Sequence, residues 1–412
     1  MSGLGKKNLT SRSYLPSLNT VLVFTVLITI TSYRGGIYIN DYKLISRDFV
    51  TFSTITLFAL FNKQILNLIV KRSILIFFFF LYYLFLFLSM KQAEIANYDL
   101  KEPMRTYAYT ITLFIFALAY IAHLKHNRFN DLFCKATIFT LFGSFLLNIY
   151  LFGISFEQNA SLWEGLSYGK NLFGRSMGIC FLLFYINPIG LNYFKKISLI
   201  FITLINLYFS GSRTPQIAIL FSLAITYFLK NYRFFFRKIT IFTIFLLSFF
   251  SSVLLFLVPD KVFELMNKEP TLTYRTFIWD YAIDFFYKNK IFGTGYGYSD
   301  ISHEIGKFFS VFGNIHNEAL DALVRTGIIG LTFLIIIYAR AIINAFNFVK
   351  ETHFSKKSVF FLSCLIFTLF VNITERTSNL FNTEWFFILL FQFPEFFENL
   401  KNNEKEDFPA FS

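Results

Sequence analysis

The chain has 412 residues, 55% of them hydrophobic and 61 of them Phe, with a mean hydropathy of +0.54. Apolar runs of about 17 to 25 residues recur along its length, matching the roughly 20 that a membrane-spanning helix needs, so a water-soluble globular fold is excluded. The net charge of +13 lies in short basic clusters between these runs. That pattern fits membrane orientation and membrane lipid, with no nucleic-acid partner.

Backbone polar groups in lipid must be satisfied within the spanning segment, so the runs are expected to be helices. A β-barrel would show short alternating segments, and residues 73–89, SILIFFFFLYYLFLFLS, do not alternate. The expected fold is an all-α polytopic membrane protein with about 12 transmembrane helices forming a single integral membrane domain over residues 1–412. In chain order the spans are 18–33, 48–62, 73–90, 104–122, 132–153, 173–187, 197–210, 214–230, 239–258, 327–346, 358–373 and 379–393. The first is followed by no small-residue cleavage site and reads as a retained helix. Cys134, Cys180 and Cys364 each lie in a different apolar run, without metal-ligand spacing and outside the loops where disulfides are normally placed.

Lys and Arg set the orientation. With both termini cytoplasmic, 21 basic residues fall inside and 17 outside, and seven of the outer 17 lie between Lys261 and Arg325, in and just after one long loop. Long loops obey the positive-inside rule poorly. The pairs Lys71-Arg72, Lys195-Lys196, Arg237-Lys238 and Lys356-Lys357 all fall inside. This places a large loop, 259–317, and a smaller one, 154–172, outside the cytoplasmic membrane.

The large loop is expected to contain short helices. Tyr274, Ile278, Tyr281, Phe285 and Lys288 recur at helical spacing, with Arg275, Asp280 and Asp284 interspersed. This predicts an amphipathic helix resting on the bilayer or on the bundle. The stretch Gly293-Thr294-Gly295-Tyr296-Gly297 then forms a turn where backbone can approach a ligand closely. The chain next enters NIHNEALDALVRTGIIGL, residues 314–331, which sets His316, Asn317 and Glu318 at the mouth of a long apolar helix.

Several outward-facing residues can carry chemistry. Arg213, in Ser210-Gly211-Ser212-Arg213-Thr214, is either a phosphate contact or an interfacial side chain that snorkels to water. Arg275 is either an anion ligand or a solvated position on its helix. His316 is either a loop histidine or a group poised for proton transfer, with Asn317 to hydrogen-bond and Glu318 and Asp321 to orient it. Lys170, Asn171, Arg175 and Arg376 are further candidates on the same side, and Arg325 reads as an interfacial anchor. No two of the ten Asp residues are two apart, and Gly-x-x-x-x-Gly-Lys does not occur. Chemistry dependent on a metal-bound sugar nucleotide or on ATP is therefore disfavoured. Arginine can neutralise a departing pyrophosphate without a metal.

The ordered motifs resemble those of the bacterial O-antigen ligase and O-antigen polymerase superfamily. They are Ser212-Arg213 after a span, Arg275 and Trp279 leading to IFGTGYG, and His316-Asn317 followed by Gly327-Ile328-Ile329-Gly330-Leu331; Lys170-Asn171-Leu172-Phe173 adds to them. The resemblance implies transfer of a glycan from undecaprenyl pyrophosphate at the periplasmic face of the bacterial inner membrane, with inversion at the anomeric carbon and no cofactor. Arg213 and Arg275 would bind the pyrophosphate, and His316 would act on the acceptor hydroxyl. Asn317, Glu318, Lys170, Asn171, Arg175, Gly295 and Arg376 would line the substrate site. The acceptor is the lipid A–core saccharide for a ligase, the first expectation, and a lipid-linked repeat unit for a polymerase. Some ligases carry a second His where this chain has Asn314. A transporter of lipid-linked oligosaccharide is the remaining alternative, disfavoured by charges gathered at one surface and by the lack of a visible repeat.

Overall fold

The computed structural model describes residues 37–39, 42–45, 63–95, 101–123, 129–152, 163, 170–231, 275–295, 315–375 and 383–398. A short antiparallel pair comes first, β1 (Ile37–Ile39) with β2 (Tyr42–Ile45), in the register Tyr38 to Lys43 and Ile39 to Tyr42. β-branched and aromatic residues on either side of Asn40-Asp41 favour a hairpin over a helix. Every described element after this β-pair is a helix, as the all-α expectation has it.

The helices follow as α1 (Lys63–Lys71), α2 (Ser73–Ile95), α3 (Lys101–His123), α4 (Phe129–Phe152), α5 (Lys170–Ile186), α6 (Tyr193–Phe209), α7 (Arg213–Asn231), α8 (Arg275–Lys288), α9 (Glu318–Glu351), α10 (Lys356–Thr374) and α11 (Thr383–Leu390). Among the described residues α2, α9 and α10 are long and apolar enough to cross a membrane, and this is a membrane protein. The predicted spans 18–33, 48–62 and 239–258 lie outside the described residues, as does most of the loop 259–317.

The described part of the expected span 379–393 is the eight-residue α11 and a turn at 391–393, followed by a helical stretch from 394. Pro394 has no N–H to give to a helix and disfavours helical backbone in the residue before it. The carbonyl of Phe391 is taken by Asn344 Nδ2 at 2.7 Å, and that of Gln392 by Arg340 Nε at 3.4 Å, both from α9.

The core is aromatic. Phe333 of α9 receives the rings of Phe78, Tyr82 and Phe85 from α2 at 5.3, 5.6 and 6.0 Å, and Phe361 of α10 meets Phe387 of α11 at 6.0 Å. Lipid tails are as apolar as these rings, so small and polar residues contribute where helices touch. On the α7–α10 seam Ser222 Oγ donates to the Ser363 carbonyl at 2.8 Å, and Thr226 meets the Ser363 hydroxyl at 3.0 Å. Gly174 gives α5 a similarly close seat, because a Cβ there would meet Ser212 Cβ at 2.8 Å.

Candidate functional site

Helix α9 is two helices. Gly327 interrupts it at φ 64°, ψ −166°, a backbone region that only glycine occupies readily. The interruption releases carbonyls before the break and N–H groups after it, and the segment following α8 takes both. Thr294 and Gly295 donate to the carbonyls of Val324 and Arg325, each at 2.9 Å, and Ile328 and Ile329 donate to Lys290 and Ile291 at 2.9 and 3.5 Å. A Cβ on Gly327 would meet the Ile291 oxygen at 2.1 Å, and one on Gly293 the Arg325 carbonyl carbon at 2.4 Å. The Gly-rich turn is thus a clamp on α9. The Gly295 amide, expected at a ligand, is spent on that clamp.

The short helix before the break carries the histidine. Asn317 caps it, accepting the Leu320 N–H at 2.9 Å, while its Nδ2 donates to the Ile373 carbonyl at 3.0 Å. Asn317 is buried, and through these two bonds it joins the start of α9 to the end of α10. Arg325, expected as an interfacial anchor, is buried and donates to Asp321 at 2.7 Å. Glu318 is buried as well.

Helix α8 forms where the spacing predicts it and rests on this short helix. Its buried side is Ile278, Trp279 and Ala282, packed with Ile315, Leu320 and Val324, and Tyr281 and Phe285 of the expected stripe pack against it half-buried. Asp284 and Lys288 point to solvent. Trp279 Nε1 donates to the Ile315 carbonyl at 2.7 Å, one residue before His316. Arg275 opens this helix, and its side chain lies outside the described residues, as does Arg376.

His316 holds a left-handed backbone at φ 54°, uncommon for a residue with a side chain. Its Nδ1 lies 3.3 Å from Glu375 Oε2, with the two side chains 17% and 10% exposed. The other carboxylate oxygen of Glu375 accepts from Asn171 Nδ2 at 3.0 Å, and Asn171 Oδ1 accepts the Ser212 hydroxyl at 3.2 Å. Thr374 Oγ1 donates to Thr214 Oγ1 at 3.1 Å. Arg213 stands between Ser212 and Thr214 and is exposed. A tight turn sets it there, with Gly211 at φ 62°, the Gly211 N–H on Tyr208 at 3.1 Å and the Ser212 N–H on Ser210 Oγ at 3.2 Å.

The first turn of α5 completes this end of the bundle. It begins at Lys170, which is exposed, so Asn171 and Arg175 are helical. Arg175 is not available at a surface. It faces Glu384 of α11, Nε to Oε1 at 3.5 Å, each side chain 3% exposed. Asn171, Ser212, Thr214, His316, Thr374 and Glu375 therefore form one polar cluster drawn from four segments, with Arg213 at its open corner.

Glu375 and Glu384 escaped the sequence reasoning, which weighed the cations on this side. Their signal was a carboxylate at the end of an apolar run in Thr374-Glu375-Arg376, and another at the start of the next in Thr383-Glu384. Among the described residues no three His, Cys, Asp or Glu side chains gather as a metal site would require.

Residues 198–335 match the family model described as O-antigen ligase. The match runs from α6 to the upper part of α9, taking in Arg213, Arg275, Gly295 and His316. No curated protein matches the chain. That stretch is similar to the O-antigen ligase superfamily, which covers ligases and related polymerases.

Proposed function

We infer that this chain is a member of that superfamily and a membrane glycosyltransferase of lipopolysaccharide assembly. In this reading it moves a completed glycan from undecaprenyl pyrophosphate onto a hydroxyl of the lipid A–core saccharide. The polar end of the bundle faces the periplasm and both termini lie in the cytoplasm, as the distribution of Lys and Arg supports.

The observation that carries the reading is the Asn171–Glu375–His316 cluster with Arg213 at its exposed corner. A charged cluster among apolar helices is costly unless it serves a pathway or a reaction. Arg213 and Arg275 bind the pyrophosphate, since a guanidinium is always charged and forks onto phosphate oxygens. Lys170, exposed at the start of α5, adds a third cation near Asn171. His316 faces the acceptor hydroxyl and removes its proton as the anomeric bond changes hands. Neutralising the departing pyrophosphate with arginine needs neither metal nor nucleotide.

Deleting the gene and analysing the lipopolysaccharide tests this. Loss of a ligase leaves polymer stranded on the lipid carrier and the core bare. Cores carrying a single repeat unit identify instead a polymerase, the second reading, which the Asn314 departure favours. Repeat units trapped at the cytoplasmic face assign the chain to transport.

A further inference from the structure

Glu375 is the residue that the family motifs do not name and that the geometry singles out. It caps the C-terminus of α10, its N–H on the Val371 carbonyl at 2.9 Å. A helix C-terminus carries partial negative charge, so a carboxylate there is unfavourable without donors facing it. Two donors face it, Asn171 Nδ2 at 3.0 Å and His316 Nδ1 at 3.3 Å. The Ser212 hydroxyl on Asn171 Oδ1, at 3.2 Å, settles which way the amide points, with its N–H groups toward the carboxylate. Asp321, the other acid of this helix entry, is already held by Arg325 at 2.7 Å.

A carboxylate at Nδ1 places the ring proton there, which makes Nε2 the nitrogen that can take a second proton. We propose that Glu375 is the positioning residue of a His316–Glu375 dyad, with Asn171 fixing the carboxylate. The proposal rests on the reading of His316 as the acceptor-side base. In the step, the acceptor oxygen forms its bond to the anomeric carbon and its proton passes to His316 Nε2. The bond from that carbon to the pyrophosphate oxygen breaks, and the lipid pyrophosphate leaves with the electron pair. Glu375 stays ionised throughout and faces the imidazolium through Nδ1–H.

The test uses the full-length protein in lipid vesicles, with a polyprenyl-pyrophosphate-linked glycan as donor and a core saccharide as acceptor. Glu375→Gln lowers kcat about 10- to 100-fold, the usual range for a group that orients a functional histidine, with the donor KM unchanged. Glu375→Asp recovers part of the loss. The double variant with His316→Ala is no slower than His316→Ala alone, because the carboxylate acts through the imidazole. A purely structural role gives losses that add, and additive losses overturn the dyad. So does wild-type kcat in Glu375→Gln while His316→Ala is inactive. Wild-type turnover in His316→Ala overturns the site reading itself. If Glu375→Gln fails to fold, Asn171→Ala carries the same double-variant comparison and the same two outcomes.

Discussion

Trp279 donates its indole N–H to the Ile315 carbonyl oxygen over 2.7 Å, and so joins the helix opened by Arg275 to the residue before His316. Trp279 lies one turn beyond Arg275, and Ile315 leads directly into the left-handed backbone of His316. The bond makes the proposed donor-side and acceptor-side elements a single piece. Trp279→Phe keeps most of the ring volume, removes the donor and leaves a buried carbonyl exposed to no partner of its own. The expected cost is about 1–3 kcal/mol of stability. Glycan transfer falls about 10-fold or more, since small misplacements are costly to bond-making steps. Transfer assays on protein matched for folding check this, and unchanged transfer would remove Trp279 from the positioning of the site.

Gly327 makes the break in α9 possible. At φ 64° and ψ −166°, with a Cβ position 2.1 Å from the Ile291 oxygen, alanine has neither the backbone freedom nor the space. Gly327→Ala is expected to cost more than about 2 kcal/mol, combining strain of about 1–3 kcal/mol with lost clamp hydrogen bonds. The outcome to look for is a lower unfolding temperature in detergent together with lost transfer. Ala at an ordinary helical glycine gains stability, so a stabilised Gly327→Ala would contradict the two-helix description.

The Arg175–Glu384 pair is buried on both sides and holds α11 to α5 beneath the polar cluster. Removing one partner strands a charge, which costs about 3–5 kcal/mol. Arg175→Met and Glu384→Gln are each expected to reduce the folded yield in membranes. Arg175→Met combined with Glu384→Leu restores much of it, since apolar replacement of a whole buried pair is often neutral. Equal yields from the single and double variants would show that the pair contributes nothing.

At the far end of α11, Arg72 Nε donates to Glu395 Oε1 at 2.7 Å and Lys71 Nζ lies at 3.0 Å. Burial pushes the Glu395 carboxyl up, but the bonds from Arg72, its own backbone and Lys71 outweigh it and hold the group below the usual carboxylate range. A carboxylate with a depressed folded-state value stabilises above the unfolded value, about 4.3 for glutamate, and loses that contribution as pH falls through its folded value. Glu395→Gln is expected to cost about 1–3 kcal/mol at neutral pH. The gap between wild type and variant closes as pH drops below about 4.3. Thermal unfolding followed from pH 7 to pH 3 reads it, and a gap constant across that range would assign the pairing no stabilising role.

The apolar runs made the helices legible, because length and hydropathy leave lipid-spanning backbone few alternatives. Gly327 and Pro394 show what periodicity does not reveal. Each sits at the edge of an apolar run, and the partners that take the freed backbone groups come from elsewhere in the chain. The amphipathic α8 was legible in its extent and in Ile278, but the burial of Trp279 and Ala282 beside it was not, because the neighbouring helix decides how much of the surface is covered. At the site, His316 and Arg213 stood out as polar residues at the ends of apolar runs. The capping role of Asn317 was not read from the sequence, and Glu375 went unnoticed because its partners are 59 and 204 residues away. Contacts at that separation leave no spacing to read.

The central claim is that one polar cluster, with Arg213 at its corner and His316 within it, transfers glycan from a lipid-linked pyrophosphate. The most direct measurement is transfer of labelled glycan from undecaprenyl pyrophosphate to lipid A–core by the purified protein in vesicles, with chelator present. Transfer by the wild type is expected, with loss of at least about 100-fold in His316→Ala and in Arg213→Ala, both folded. Transfer at the wild-type rate in either variant would contradict the account.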